Sequence, residues 1–279
     1  MKFFRYIYLI FIAAIVIQSC DKIDAPYKEK GTGGDTAQVV KKILLEEFTG
    51  HICPNCPTAS KIAHDLKVYA GKQLILLSIH GGFLAEPGTS PFTYDFTCNV
   101  GDELFTHFGS PNPPKGLINR IERNGNQIIA TGDWNTFVDS LLQVEQDAQM
   151  EITNNYNENT RVLNTTVETE FFNTIAGPIS LCVYIVEDSI ISPQKNNDPN
   201  IPPVGNILDY VHMHVLRGSM NGTWGDTLVQ GNPVVSQKYS KSYSFTLDNA
   251  WEAKNCGVVA FVYYIQNEEI IQAEEAHIE

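Results

Sequence analysis

Val39-Val40-Lys41-Lys42-Ile43-Leu44-Leu45-Glu46-Glu47-Phe48-Thr49-Gly50-His51-Ile52-Cys53-Pro54-Asn55-Cys56 carries an apolar run directly into a pair of cysteines. The run to Phe48 has the character of a strand buried within a sheet, and Thr49-Gly50 ends it. Beyond the cysteines, Ala59, Ile62, Ala63, Leu66 and Tyr69 recur at spacings of three and four until Gly71, which predicts an amphipathic helix with Pro54 at its first position. Gln73 to His80 is a second apolar run. Strand, helix and strand in that order make one βαβ unit with a parallel pair.

The cysteine spacing has a chemical logic at this place. A helix N-terminus presents unpaired N–H groups and the positive end of the helix dipole, which stabilise a thiolate at Cys53, while Cys56 one turn on can attack a mixed disulfide formed there. His51 either assists thiolate formation or is an ordinary loop histidine. Glu46 and Glu47 either end the strand in solvent or, if buried, have a role. A zinc site needs four ligands, and no second Cys or His pair stands nearby at finger spacing, so neither metal nor cofactor is expected.

Working outward, residues 81–113 read as an irregular insertion with a short helix near Val100 to Phe108. Pro113-Pro114-Lys115-Gly116-Leu117-Ile118-Asn119-Arg120-Ile121 is a proline-led strand, paired with Gln127 to Ala130 across Arg123-Asn124-Gly125-Asn126. Asp133 can cap a last helix that buries Trp134, Phe137, Val138, Leu141 and Leu142. An α/β domain over residues 39–150 follows. Beyond it, runs such as Arg161 to Phe171, Ile179 to Val186, Val211 to Leu216, Lys238 to Leu247, Gly257 to Ile265 and Ile270 to Ile278 are strand-like without intervening helices, which predicts an all-β sandwich of immunoglobulin type over 151–279. Proteolysis near Asn154 to Asn159 is expected to separate the two.

Upstream, Lys2 and Arg5 precede the uncharged run Tyr6 to Ile17, too short for the roughly 20 residues of a membrane span. Residues 1–19 therefore read as a signal peptide. Its ending, Ile17-Gln18-Ser19-Cys20, resembles a lipobox, which implies a diacylglyceryl anchor on Cys20 and so a membrane as partner. Residues 20–38 have almost no bulky apolar side chains and read as a flexible tether. Losing Lys2 and Arg5 takes the net charge from -13 to -15, and such acidity argues against nucleic-acid partners. Of six cysteines, Cys98, Cys182 and Cys256 remain. Cys182 and Cys256 can bridge or stay as buried free thiols, and Cys98 is expected to be a lone, partly buried thiol. His212 and His214 share a face if they lie on one strand, but nothing adjacent completes a metal set.

The segment Glu47 to Cys56 resembles the thioredoxin superfamily, in which a buried acid lies six residues before the first cysteine. That likeness implies that Glu47 takes or relays the proton of Cys56, and that Pro114, with Pro113 as the alternative, is the cis-proline that opens the facing strand. Ile52, where an aromatic residue is usual, and the insertion 81–113 depart from the pattern and alter the docking surface. Leu45-Glu46-Glu47-Phe48-Thr49-Gly50, Ser78-Ile79-His80-Gly81-Gly82, Leu117-Ile118-Asn119-Arg120, Val211-His212-Met213-His214-Val215-Leu216-Arg217 and Thr223-Trp224-Gly225-Asp226 together resemble the Omp28 family of outer-membrane lipoproteins. The implied function is an extracytoplasmic thiol–disulfide oxidoreductase acting on a protein thiol or disulfide. Cys53 would be the nucleophile, Cys56 the resolving thiol, Glu47 the proton relay and Pro114 part of the docking groove. The rival is a cell-surface binding or adhesion lipoprotein with Cys53–Cys56 as a static bridge.

Overall fold

Strand β1, Ile43–Thr49, is buried along its whole length, because it has a strand on each side and packing on both faces. The computed structural model describes residues 40–278; the signal peptide expected over 1–19, the lipidation expected at Cys20 and the tether expected over 20–38 lie outside them. Helix α1 is Cys56–Ala70, and β2, Leu74–His80, pairs in parallel with β1 from Ile43↔Leu74 to Thr49↔His80. Helix α2, Asn99–His107, lies in the insertion. Strand β3, Lys115–Ile118, runs antiparallel to β1. It is followed by β4, Ile129–Ala130, and helix α3, Trp134–Leu141.

The second half is built of strands, with one short 3-10 turn at Ala253–Asn255. Its elements are β5 (Ala148–Asn157), β6 (Val162–Phe171), β7 (Ile179–Glu187), β8 (Ile190–Ile191) and β9 (Gln194–Asn196). They continue with β10 (Gly205–Ile207), β11 (Val211–His212), β12 (Val215–Ser219) and β13 (Asp226–Val229). The last are β14 (Lys238–Thr246), β15 (Cys256–Tyr264) and β16 (Ile270–His277).

A mixed nine-stranded sheet runs β16-β15-β7-β12-β2-β1-β3-β4, with β13 also on β7, and a separate sheet is ordered β14-β6-β5. The fold is thus mostly β. On one face of β1 and β2, Ile43, Leu45 and Leu76 pack against Ala63 and Leu66 of α1 and Phe137 and Val138 of α3. On the other, Leu44, Phe48 and Leu77 meet Leu104 of α2 and run on without a break to Tyr184 and Phe261. The β14-β6-β5 sheet closes a third core over the opposite face of β7 and β15, with Leu163, Val167 and Phe171 against Val183, Ile185 and Val258.

Several expectations change. The boundary expected at residue 150 is crossed by the large sheet, since Val215 of β12 pairs with Ser78 of β2 and residues 40–278 belong to one compact unit. His212 and His214 do not share a strand face: His214 has left-handed backbone (φ 56°) and separates β11, which pairs with β8, from β12, which pairs with β7. Cys182 and Cys256 are both free. They sit opposite Phe261 and Glu187 on neighbouring strands, in different cores, beyond the reach of a bridge. Asp133 stands at the start of α3 without a side-chain capping bond.

Candidate functional site

Helix α1 begins at Cys56, with Asn55 as its cap and Pro57 inside its first turn. A start at Pro54 would place Pro57 where a backbone N–H must bond to the Cys53 carbonyl, and proline has none. That carbonyl instead accepts from Cys56 N at 3.3 Å. Cys53, in the turn ahead of the helix, and Cys56, its first residue, form a disulfide, each 1% exposed.

A hairpin from the second half of the chain, residues 190–212, in which β8 pairs with β11 and β9 with β10, lies against the 50–54 loop that carries Cys53. Gln194 Nε2 donates to the carbonyls of Gly50 (3.2 Å) and Cys53 (3.0 Å). Lys195 N donates to the His51 carbonyl at 2.8 Å and Asn197 N to that of Pro54 at 3.0 Å. Thr58 Oγ1 donates to Asp198 Oδ2 at 2.8 Å, tying the hairpin tip to the start of α1.

Alternation along β1 separates the two acids. Glu47 faces α1, where it accepts from Ser60 Oγ at 3.1 Å; Ser60 follows Cys56 by four positions on that helix. Among the described residues no cation is bonded to Glu47, and burial pushes its carboxyl up to about 8, with the Ser60 bond pulling the other way. Tyr210, on the hairpin, approaches Ser60, and burial with the charge of Glu47 raises its hydroxyl to about 12. Glu46 faces the other way and is bound by Arg120 at 2.6 and 2.8 Å with both side chains wholly buried. Burial opposes the charge of Arg120, but the Glu46 carboxylate outweighs it and the net shift is upward.

A cavity of about 480 Å³ separates α1 from the hairpin and has Glu47, Ser60, His80, Tyr210 and His212 in its wall. Phe96 lies among three histidines, stacked on His80 at 4.6 Å, 4.3 Å from His212 and edge-on to His51 at 5.4 Å. Burial pushes His51 and His80 down and His212 to about 4. Neutral rings are the result. His51 bonds to the Glu86 carbonyl, and among the described residues no three His, Cys, Asp or Glu side chains converge as a metal set.

The Pro113–Pro114 peptide is cis, and Pro114 leads into Lys115, the partner of Phe48 across β1 and β3. Cys98 is half-buried and caps α2, accepting from Gly101 N at 3.4 Å; burial raises its thiol. The structure therefore brings Cys53, Cys56 and Glu47 around the start of α1, with the cis-proline strand beside β1. Sequence reading missed Gln194, Asn197, Asp198 and Tyr210, which come from 141 positions or so away with no motif to mark them. It also missed Arg120, although a buried Glu46 calls for a cation somewhere.

Residues 102–279 match the family described as "Outer membrane protein Omp28". None of the curated proteins matches the chain. Among solved structures, HBP35 of Porphyromonas gingivalis is similar with a TM-score of 0.63 at 20% identity, covering 86% of this chain and 76% of that one. A crystal structure of an Agrobacterium tumefaciens protein is similar at 0.52 and 13%, covering 87% and 97%. A domain of the outer membrane lipoprotein Omp28 from Porphyromonas gingivalis, 22% identical, covers 48% of this chain and 89% of its own length with a TM-score of 0.33. The first two likenesses are of fold. Among the described residues no helix is long and apolar enough to cross a membrane.

Proposed function

The chain belongs to the Omp28 family of outer membrane proteins, and from that premise we propose that it is a thiol–disulfide oxidoreductase of the outer membrane, acting through Cys53 and Cys56. The observation that carries this reading is Glu47. An acid buried without a cation is expensive to keep, and this one lies against the helix face that carries Cys56 and Ser60. A proton relay explains it. A partner thiolate attacks Cys53 Sγ, the Cys53–Cys56 bond breaks, and the departing Cys56 thiolate takes the proton of Glu47. A second thiolate then attacks the mixed disulfide, releasing the oxidised partner and Cys53 as thiolate. In the reverse direction the Glu47 carboxylate accepts the proton of Cys56.

The order β1-α1-β2 with a parallel pair, an antiparallel β3 led by Pro114, and α3 supports a thioredoxin-like reading of 39–150. The β14-β6-β5 sheet packed across β7 and β15 supports an immunoglobulin-like reading of 151–279. Pro114 would shape the groove for a protein thiol or disulfide. Anchoring is through lipidated Cys20, and Cys20→Ser should leave the membrane fraction; retention there with lipid label would refute the anchor.

One observation favours the rival, a binding or adhesion protein with a static bridge: both cysteines are 1% exposed. Reduction potential separates the two readings. A redox-active pair should titrate in a glutathione or dithiothreitol series near or above the thioredoxin value of about -270 mV, with fast alkylation of Cys53 once reduced. A potential far below that, with a sluggish Cys53, would leave the static bridge.

A further inference from the structure

We propose that the hairpin 190–212 is a gate on the disulfide: neither sulfur meets a reductant until residues 194–198 lift off the 50–54 loop. The purpose of such a gate rests on the oxidoreductase reading, but its geometry does not. Four successive contacts seal the loop, from Gln194 Nε2 to the Gly50 and Cys53 carbonyls, from Lys195 N to His51 and from Asn197 N to Pro54. With them in place both cysteines are buried.

The hairpin is built to move as a unit. Asn196 Nδ2 donates to the carbonyls of Asp198 (3.2 Å) and Pro203 (3.0 Å), and its Oδ1 accepts from Asp198 N at 3.0 Å, so the tip is held by its own bonds. Both ends of the excursion are marked by left-handed backbone outside glycine, Ser189 (φ 62°) and His214 (φ 56°). Those positions can absorb a change of direction. The base is secured, since Ser78 N donates to the His214 carbonyl at 2.8 Å and His214 N to Asp188 Oδ1 at 2.6 Å.

The seal is also of a kind that opens. Toward the loop the hairpin presents the buried, polar Gln194 side chain and the backbone N–H groups of Lys195 and Asn197. Bonds between such groups are replaced by bonds to water when they part, with a small net loss. Behind the hairpin lies the cavity of about 480 Å³, so its tip lacks the close packing that ties a core element down. Its outward residues Ile191, Val204 and Leu208 are exposed, and its tip is tied to α1 by the Thr58–Asp198 bond.

Once the sulfurs are uncovered, a dithiol donates two electrons: one of its thiolates displaces Cys56 from Cys53, its second thiolate displaces Cys53, and it leaves as a cyclic disulfide. The test follows that reduction in the whole oxidised protein with dithiothreitol over a wide concentration range, trapping thiols with a mass-tagged alkylating reagent. Gln194→Ala, which removes two bonds to the loop, should accelerate reduction roughly tenfold, and Thr58→Ala severalfold. Thr58→Ala also keeps the test in force should Gln194→Ala fail to fold. Cys182 and Cys256, buried in the two main cores, should stay unlabelled meanwhile. Unchanged rates in both variants would overturn the gate, as would labelling of Cys182 and Cys256 in step with Cys53, which makes global unfolding the route. The equilibrium potential is a separate outcome: a very low value removes the oxidoreductase reading and leaves the gate standing on its rates.

Discussion

Glu46 and Glu47 are neighbours in sequence and meet opposite fates, because a strand sends successive side chains to opposite faces. Glu46 is neutralised by Arg120, whereas Glu47 is bonded to Ser60 and responds to burial by holding its proton up to about pH 8. Stability must therefore depend on pH in two directions. The folded pKa of Glu47 is raised above the unfolded value of 4.5, so its contribution is complete below 4.5 and is lost as pH climbs through about 8. His212, lowered from 6.5 to about 4, contributes fully above 6.5 and loses that contribution as pH falls toward 4, and His51 and His80 act in the same sense. Stability should peak near neutrality or just below, with limbs whose slope is about 1.4 kcal/mol per pH unit for each proton. Glu47→Gln should flatten the limb between about pH 6.5 and 8 and steepen the acid limb above pH 4.5, where the loss from Glu47 opposes the gain from the histidines. Urea midpoints across pH for the two proteins check this, and identical alkaline limbs would show that Glu47 ionises freely in the folded state.

Elements obey their patterns where one constraint dominates. Strand β7 is buried at all nine positions because β15, β12 and β13 flank it and both faces are covered. Strand β14 alternates exposed and half-buried because only one face meets a core. Other elements are set by competition. The prolines at 54 and 57 each suit a helix start, but only the later start leaves no carbonyl waiting for a missing N–H, so Cys53 lies in a turn ahead of α1 rather than on it. Val211 to Leu216 is apolar enough for one strand, yet it breaks at His214 because its two ends have different partners. That break is what frees residues 190–212 to leave the large sheet and cross to the 50–54 loop.

At the scale of the whole molecule, the two halves share a core rather than a linker. Phe48 and Leu77 from the first half and Tyr184 and Phe261 from the second lie in one cluster, β12 pairs with β2, and Gln272 on β16 bonds to the carbonyls of Val40 and Ala148. Separating them would expose that cluster and leave β2 with an open edge. Thermal or urea unfolding should therefore follow a single cooperative transition, with coincident curves from tryptophan fluorescence and far-ultraviolet circular dichroism. Proteolysis near Asn154 to Asn159 should not release a resistant 151–279 piece. Two separated transitions, or a stable fragment of either half, would show that the shared sheet contributes little.

What the sequence by itself determined is local: the buried β1 and β2 from unbroken apolar runs, α1 and α3 from spacings of three and four, and the placing of Cys53, Cys56 and Glu47 at one strand-to-helix junction. Each of these is written within a few residues of itself, in hydrophobic period or in motif spacing. Only the tertiary structure decided that Glu46 has Arg120, that Gln194 bonds to the carbonyl of Cys53, that Cys182 and Cys256 lie in different cores, and that two halves make one sheet. The physical reason is the same in each case. A buried charge, a covered sulfur or a sheet edge is satisfied by whichever group the fold brings to it, and hydrogen bonds between residues this far apart leave no periodic trace in the chain.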